Sequence, residues 1–319
     1  NGSALWARNK AEITKDQYRD FYQHISHNFD DPWLTLHFKA EGNLEYTGLL
    51  FVPQKAPYDL FQPDKKNSFK LYINKVFISD KIEQLMPNYL RFVKGIIDSA
   101  DLPLNISREM LQNSPLMEKI KNGTVSRLLK ELKKKTKNYD DYIIFWKNFG
   151  IVLKEGIYED IKNREEIAEI SYFYSTNDNA RLTSLDEYIS RCDKEQKAIY
   201  YITGDDIAVL RNNPQLESFK QKGIEVLLMN EPIDEFWPQV LPNFKGYAIK
   251  HISQADIDMT WKRDEKKADE GSLAKLCEFM SELLKDEVGK VTSTEKLTTS
   301  PVSLTVEGGQ MSLHLERLM

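Results

Sequence analysis

The sequence predicts a mixed α/β protein with two α/β sandwich units, a small helical connector between them, and a partial α+β domain at the end. Three patterns predict this fold class. Residues 33–80 hold runs of alternating apolar residues, which favour strands. Residues 81–150 are dominated by apolar residues at helical spacing, and residues 196–257 repeat a strand–helix–strand pattern.

These patterns divide the chain into four expected parts. They are a large α/β subdomain at 1–150, a helical connector at 151–195, a small α/β subdomain at 196–257 and a partial C-terminal domain at 258–319. The last boundary rests on residues 258–272, which are charged and weakly patterned.

Composition excludes several classes of protein. The 319 residues are 41% apolar and 29% charged, as in soluble globular proteins, and the net charge of -5 argues against a dedicated nucleic-acid binder. The sequence has no apolar run long enough to span a membrane and no signal peptide at its start. Cys192 and Cys277 are too far apart in sequence for a metal motif, so we expect a reducing, cytoplasmic location. Because the chain lacks an initial methionine and stops within an amphipathic stretch, we expect a fragment of a longer protein.

The N-terminal region predicts a capped helix. Thr14 and Gln17 form a capping-box pattern, and apolar residues at helical spacing follow to Ile25. His24, His27 and His37 lack partners at ligand spacing, which favours solvated or core-edge histidines over a metal site.

Three strands are predicted next, with a loop between the second and the third. The strand segments are residues 34–38, 44–53 and 69–78. Residues 56–63 carry two prolines around Tyr58, Leu60 and Phe61, which predicts a loop. Its apolar side chains either pack onto the sheet or form an exposed contact surface.

Helical spacing is predicted from residue 89 onward. Residues 89–97 have a helical period, a longer helix starts at Pro115, and a third is expected to stop at Gly150. The helix after Pro115 has a lysine-rich face, which is typical of a solvated surface, although nucleic acid or a membrane surface could bind there.

The small subdomain is predicted to contain two parallel strands, at residues 198–203 and 223–229. Gly204 and Asp205 follow the first strand, at the edge where α/β proteins often bind ligands. The sequence has no glycine-rich phosphate loop there, so we interpret this turn as structural. Towards the C-terminus we expect an amphipathic segment at 273–284, strands at 288–294 and 302–306, and a methionine- and leucine-rich segment from residue 311.

Residues 101–115 contain the candidate site. Pro103 breaks regular structure, Ser107 can cap one turn of helix, and Ser114-Pro115 starts the next helix. Arg108 and Gln112 are four residues apart and would share one face of that turn. A guanidinium beside an amide suits recognition of a phosphate or carboxylate, but on physical grounds alone ordinary surface residues are the better interpretation.

The same stretch resembles the catalytic loop of the heat shock protein 90 chaperones, and the resemblance extends along the whole chain. Many long motifs agree in the family's order: residues 4–8, 51–61, 71–78, 92–95, 101–105, 107–112, 199–204, 226–228 and 233–235. Residues 87–92 and 149–156 are most similar to the bacterial type.

The resemblance implies a three-domain, ATP-hydrolysing parent that acts in protein folding and the stress response. This chain corresponds to the middle domain and the start of the C-terminal domain, without the nucleotide pocket or the final dimerisation helices. The parent would use ATP with Mg, and this fragment alone would be inactive and bind no cofactor. The implied partners are unfolded client proteins, the N-terminal ATPase domain and a second copy of the parent. Nucleic acid, membranes and metal sites are not implied.

The resemblance also assigns roles to individual residues. Arg108 matches the arginine that contacts the ATP γ-phosphate, Gln112 the glutamine that supports it, and Asn105 a nearby polar residue. A fixed guanidinium there would offset charge that develops during phosphoryl transfer. Other positions match apolar surface that the family presents to the dimer or to clients: Trp6, Tyr58, Leu60, Phe61, Met311 and Leu315.

Three alternatives remain at this point. The chain could be a stand-alone α/β ligand-binding or interaction domain, or an enzyme that uses the Gly204-Asp205 edge, although no Cys, Ser or His lies in a nucleophile motif. It could also bind nucleic acid through the lysines near Lys133.

Overall fold

The structure is a computed structural model that describes residues 4–42, 44–62, 69–80, 82, 85–103, 114–253, 270–293 and 301–303. The chain divides into two compact units, Asn1–Tyr172 and Phe173–Met319. We describe each unit by itself and call them the first and the second unit. The mixed α/β class predicted from sequence is confirmed.

The first unit contains a five-stranded sheet within the described residues. Its strands are β1 (Pro32–Ala40), β2 (Tyr46–Pro53), β3 (Phe69–Ile73), β4 (Val76–Ser79) and β5 (Lys94–Ser99). Their spatial order is β1-β2-β5-β3-β4; β3 and β5 run parallel, and the other neighbours pair antiparallel. The predicted segment 69–78 is thus a hairpin that turns at Asn74 and Lys75, both with positive φ.

The predicted helix at residues 89–97 is wrong. The chain there makes a 3₁₀ turn at Asn88–Leu90 and then enters β5. β5 lies in the middle of the sheet, and its residues Lys94 to Ile97 are all buried. A strand covered on both faces is apolar throughout, so its sequence lacks the alternation that distinguishes a strand from a helix.

Four helices of the first unit fall within the described residues: α1 (Lys15–Ser26), α2 (Pro115–Lys135), α3 (Tyr139–Glu159) and α4 (Arg164–Glu169). The capping box at Thr14 and Gln17 is confirmed, since both reciprocal hydrogen bonds are present. α2 starts at Pro115 as predicted.

The predicted helix end at Gly150 is wrong, because α3 continues through this residue to Glu159. A Cβ at position 150 would lie about 2.6 Å from the Trp146 ring. The glycine therefore serves close packing beside a large ring rather than a helix stop.

The second unit is built on a six-stranded sheet of order β10-β11-β8-β9-β6-β7, counted within the described residues. The strands are β6 (Tyr172–Ser175), β7 (Thr183–Ser184), β8 (Ala198–Thr203), β9 (Leu227–Met229), β10 (Asn243–Phe244) and β11 (Tyr247–His251). The helices are α5 (Leu185–Arg191), α6 (Ile207–Arg211), α7 (Glu217–Gln221) and α8 (Trp237–Val240).

The pairing of β8 with β9 is parallel, as predicted, and β11 is also parallel to β8. The expected all-helical connector at 151–195 needs correction. It contains β6 and β7 as well as helices, because β6 pairs antiparallel with β9 and joins this sheet.

The predicted amphipathic segment near the C-terminus forms α9 (Glu270–Leu283). The expected strand at 288–294 is absent from its described part, residues 288–293. A strand needs a hydrogen-bonded neighbour, and residues 288–293 pair with no strand of the described chain. The other expected strand, 302–306, lies mostly outside the described residues.

Candidate functional site

The three candidate catalytic residues lie outside the described residues. Asn105, Arg108 and Gln112 all fall in 104–113, so their roles stay predictions. The structure describes the two elements that flank this segment: the end of β5 before it and the start of α2 after it. We call them the upstream and the downstream support.

The upstream support is a set of hydrogen bonds at the end of β5. Asp101 Oδ2 accepts a hydrogen bond from the backbone N–H of Glu45 at 2.5 Å, and the N–H of Ala100 donates to the Glu45 carbonyl at 3.2 Å. Leu102 is buried. The chain is therefore tied to the start of β2 immediately before residue 104.

The downstream support is the packing of α2 on the sheet. Met117 and Ile120 are buried in the first turns of the helix. Gly123 faces the hydroxyl of Tyr46 on β2, with no room for a Cβ between them. The guanidinium of Arg127 lies 4.9 Å from the centre of the Phe38 ring. Both ends of residues 104–113 therefore start from positions fixed against the same sheet.

The expectation that Trp6 is an exposed apolar contact residue is wrong. Its side chain is buried against Phe21 and Tyr72, with its ring centre 4.5 Å from that of Tyr72. Its Nε1–H donates to Asp98 Oδ2 at 2.7 Å. A ring buried with its one polar atom satisfied is part of the core.

His37 lies beside this cluster. Its Nε2 is 2.9 Å from the Trp6 carbonyl oxygen and its Nδ1 is 2.7 Å from the Tyr18 hydroxyl. Burial, aided by the charge of Lys10, lowers the pKa of His37. The core-edge interpretation of this histidine fits its surroundings.

The loop 54–62 divides the remaining candidates. Tyr58 is 95% exposed and Phe61 is 59% exposed, whereas Leu60 is fully buried. The expectation of an exposed Leu60 is therefore wrong. The loop turns at residues 57–60, where the N–H of Leu60 donates to the Pro57 carbonyl, and this directs Leu60 inward between two aromatic residues that face solvent.

Two side chains hold this loop against other elements. The N–H of Ala56 donates to Asn148 Oδ1 on α3 at 3.0 Å. Arg91 donates from Nε to the Leu60 carbonyl at 3.1 Å, and from its two terminal nitrogens to the Glu155 carboxylate at 2.5 and 2.9 Å. Tyr58 and Phe61 are therefore presented by a fixed loop.

The sequence analysis did not single out Arg91, although its position in the sequence indicates a buried charge. An arginine inside the nearly continuous apolar run 89–97 is typical of a buried and paired charge. The pair also affects its surroundings. Burial and repulsion from Glu155 raise the pKa of Glu159, while Arg91 acts in the opposite direction.

Three consecutive lysines at the C-terminal end of α2 form ion pairs. Lys133 pairs with Glu169, Lys134 with Glu131, and Lys135 with Asp141. Lys135 also lies over the Trp33 ring. These contacts fit the solvated-face interpretation better than a nucleic-acid surface.

The Gly204-Asp205 turn of the second unit directly follows β8, as predicted. β8 and β11 end side by side there, and His251 Nε2 lies 3.4 Å from both the backbone N and the Oγ1 of Thr203. Burial lowers the pKa of His251 to about 4. His251 therefore joins the ends of β8 and β11, and the interpretation of the Gly204-Asp205 turn as structural stays a prediction.

None of the described His, Cys, Asp and Glu residues form a group of three or more that could hold a metal ion. None of the described helices is long and apolar enough to cross a membrane. The remaining candidates, Met311 and Leu315, lie outside the described residues.

Comparisons with known proteins decide the family. The family model described as Hsp90 protein matches residues 1–319, the whole chain. The chain belongs to the Hsp90 family. Relatives named chaperone protein HtpG agree with this: that of Paramagnetospirillum magneticum is 48% identical over 100% of this chain, and that of Ehrlichia ruminantium is 44% identical over 99% of it.

A solved structure has a similar fold. The middle domain of a Plasmodium falciparum heat shock protein superposes with a TM-score of 0.70 at 33% identity, over 78% of this chain and 99% of that one. The chain spans about half the length of the curated relatives it matches, 52% of each of the two above. It is therefore similar to a middle domain with additional sequence.

Proposed function

We propose that this chain is the middle portion of an ATP-dependent chaperone and supplies part of an active site that is completed by another domain. The observation that carries the proposal is the whole-chain match to the Hsp90 family, and the Arg108 motif, which lies in sequence between β5 and α2, supports it. The two fixed supports of residues 104–113 suit a segment that must present a side chain to a docking domain.

In this proposal Arg108 binds the γ-phosphate of ATP held in the N-terminal domain. Its guanidinium stays charged at all working pH values and offers a planar pair of donors to phosphate oxygens. Such a donor stabilises negative charge on the transferring phosphoryl group in the transition state. Gln112 would orient Arg108, and Asn105 would add a polar contact nearby.

ATP with Mg supplies the phosphoryl group in the full-length protein, and its pocket lies outside this chain. The sequence supports this, because it has no glycine-rich phosphate-binding motif. In this proposal the chain binds the γ-phosphate and stabilises its negative charge, whereas another domain holds the nucleotide.

A second part of the proposal concerns clients. Tyr58 and Phe61 are exposed aromatic residues on a loop that is tied to α3, so they could contact apolar segments of unfolded proteins at little entropic cost. We also propose that the full-length protein dimerises through helices beyond this chain and works in the cytoplasm. The free thiols of Cys192 and Cys277 fit a reducing compartment.

ATP turnover tests the division of labour. The full-length protein should hydrolyse ATP, and this chain alone should not, because it lacks the pocket. Turnover by this chain alone, retained after further purification, would contradict the proposal and favour a stand-alone enzyme. A salt-dependent gel shift with duplex or single-stranded nucleic acid would favour the nucleic-acid alternative instead.

A further inference from the structure

A short segment at the start of the first unit, residues 4–8, is held against the sheet by one side chain. The segment contains a single 3₁₀ turn, Leu5–Ala7, and its buried residue is Trp6, which is 8% exposed. The next buried residue along the chain is Ile13. One 3₁₀ turn has few hydrogen bonds of its own and needs tertiary contacts to stay in place. The position of residues 4–8 therefore depends on what Trp6 contacts.

Trp6 is bound to three strands and a helix. Its Nε1–H donates to Asp98 Oδ2 on β5 at 2.7 Å. Its ring centre lies 4.5 Å from that of Tyr72 on β3 and 5.8 Å from that of Phe21 on α1. Its carbonyl oxygen accepts a hydrogen bond from His37 Nε2 on β1 at 2.9 Å, since a carbonyl oxygen can only accept. The ring, the N–H and the carbonyl of Trp6 are thus all used to fasten this segment, and we call Trp6 the anchor.

The residue that accepts the Trp6 hydrogen bond is itself held in place. Both carboxylate oxygens of Asp98 lie 3.2 Å from the backbone N of Lys75, in the turn between β3 and β4. Asp98 also lies on the central strand of the sheet, between Thr47 of β2 and Tyr72 of β3. A strand paired on both sides is among the least mobile parts of a domain. The anchor therefore fastens residues 4–8 to a fixed point.

The same strand leads to the candidate catalytic segment. Asp98 and Asp101 are three residues apart, which is at most about 11 Å along the chain. The Asp101 carboxylate accepts the N–H of Glu45 in the upstream support, immediately before residues 104–113. The chain that enters the first unit at Trp6 is therefore fastened to the strand that precedes Arg108.

The place of this attachment matters if another domain is joined to it by a tether. In the proposed function, on which this inference rests, an N-terminal domain precedes this chain and brings ATP to Arg108. The effective concentration of a tethered domain falls roughly as the −3/2 power of the length of the free tether. Release of Trp6 would move the end of the tether to Ile13, about seven residues further along the chain. The anchor keeps the tether short.

We propose that Trp6 is a positioning residue for the split active site. By binding Asp98, it ends the tether of the N-terminal domain on β5 and raises the effective concentration of that domain at Arg108. In this role Trp6 contacts neither the nucleotide nor its γ-phosphate. It increases kcat through the fraction of molecules in which the two domains are docked, and it leaves the nucleotide affinity unchanged.

The same flexible insertion, placed on either side of the anchor, tests the proposal in the full-length protein. The first insertion adds about twenty glycine and serine residues directly before Asn1. It should lower kcat about threefold or more, because doubling the free tether length lowers the effective concentration about threefold. The second insertion adds the same residues between Arg8 and Asn9, next to an exposed residue where a longer loop is tolerated.

The second insertion lies behind the anchor, so it should leave kcat unchanged. The nucleotide affinity, measured by titration, should be the same in both insertion variants and in the protein without an insertion. An equal loss of kcat from the two insertions would overturn the proposal. No loss from either insertion would overturn it as well, because turnover would then not depend on tether length.

Removal of the anchor should abolish this difference between the two positions. In Trp6→Ala the second insertion should lower kcat as much as the first. Trp6→Phe keeps an aromatic ring without the N–H donor and covers the case in which Trp6→Ala is poorly folded; there too the second insertion should lower kcat. Ile25→Ala is the matched control, because Ile25 is also 8% exposed and belongs to the same apolar cluster, and it should keep the difference. A second insertion without effect in folded Trp6 variants would overturn the proposal.

Failure of this inference can be told apart from failure of the proposed function by Arg108→Ala. If Arg108→Ala lowers kcat while the two insertions act alike, the split active site stands and the anchor role is wrong. If Arg108→Ala leaves kcat unchanged, the split active site is wrong and the anchor role falls with it.

Discussion

Gly123 of α2 faces the hydroxyl of Tyr46 on β2 so closely that no other residue at position 123 could keep this geometry. The contact sets the distance between α2 and the sheet, and α2 is the support to which residues 104–113 return. Gly123 has no reactive side chain, but its close contact with Tyr46 helps to fix the point at which the candidate catalytic segment joins α2.

Gly123→Ala should destabilise the chain by about 1 kcal/mol. Helix propensity alone favours alanine by about 1 kcal/mol, but overpacking against a buried side chain costs about 1–3 kcal/mol and outweighs it. Urea unfolding measures the difference. In the background of Tyr46→Phe, which removes the hydroxyl, the same change should become neutral or stabilising. Destabilisation of equal size in both backgrounds would show that the hydroxyl is not the obstacle.

Arg91→Ala should cost about 3 kcal/mol of stability, because it leaves the partly buried Glu155 carboxylate without its partner and frees the Leu60 carbonyl. Arg19→Ala provides the control. Arg19 pairs with Asp16 in the open, with 42% and 74% of their side chains exposed, so its loss should cost below about 1 kcal/mol. Hydrogen exchange should rise in residues 56–61 of the Arg91 variant. Equal costs for the two arginines would contradict the role of Arg91 as a clamp.

Changing Tyr58 and Phe61 to serine should weaken binding to a permanently unfolded protein several-fold and leave circular dichroism unchanged, since both side chains are exposed. Phe29→Ser is the matched control, because Phe29 is 96% exposed and lies outside the loop. Leu60→Ser should unfold the chain instead, by cavity formation and burial of a hydroxyl. If Tyr58 and Phe61 variants lose structure, these residues belong to the core.

His251 should make the stability of the chain fall as the pH drops below about 6.5. Burial lowers its pKa in the folded state to about 4, so between these values the unfolded state binds the proton more readily. Stability therefore rises with pH across this window, and the contribution between pH 5 and pH 7.5 is about 2 kcal/mol. Comparing urea unfolding of His251→Gln with wild type at both pH values measures this. The exposed His24→Gln variant is the control. An unchanged pH dependence in His251→Gln would contradict the assignment.

Much of the local structure could be predicted where one residue type has one strong preference. Thr14 with Gln17 and Ser114 with Pro115 mark helix starts, and both helices begin there. The short apolar runs around Ile202 and Leu228 predicted parallel strands, because they are bounded by turns and separated by a helical segment.

Other features depend on packing between distant residues, which the sequence alone does not show. β5 was predicted as a helix because a strand buried on both faces has no alternation. Gly150 was predicted to end a helix, but it makes room for the ring of Trp146. We expected Trp6 and Leu60 at the surface because they match apolar surface positions of the family. Such a match concerns the residue type, and it does not show whether the side chain is exposed; both are buried.

The candidate site was predictable only through its motif. Taken by themselves, the residue types of Arg108 and Gln112 favour an ordinary surface, and only the order of the motifs around them predicts a role. Their supports, Asp101 on Glu45 and Gly123 on Tyr46, join residues far apart in sequence and could not be foreseen.

The most direct test of the account is ATP turnover by the full-length protein carrying Arg108→Ala. Loss of a transition-state donor should lower kcat about tenfold or more, while nucleotide affinity should change little, since we propose that the pocket lies in another domain. Arg108→Lys keeps a charge without the planar fork and should recover only part of the rate. A kcat equal to that of the wild-type protein in Arg108→Ala, with the fold intact, would contradict the proposed role of this chain.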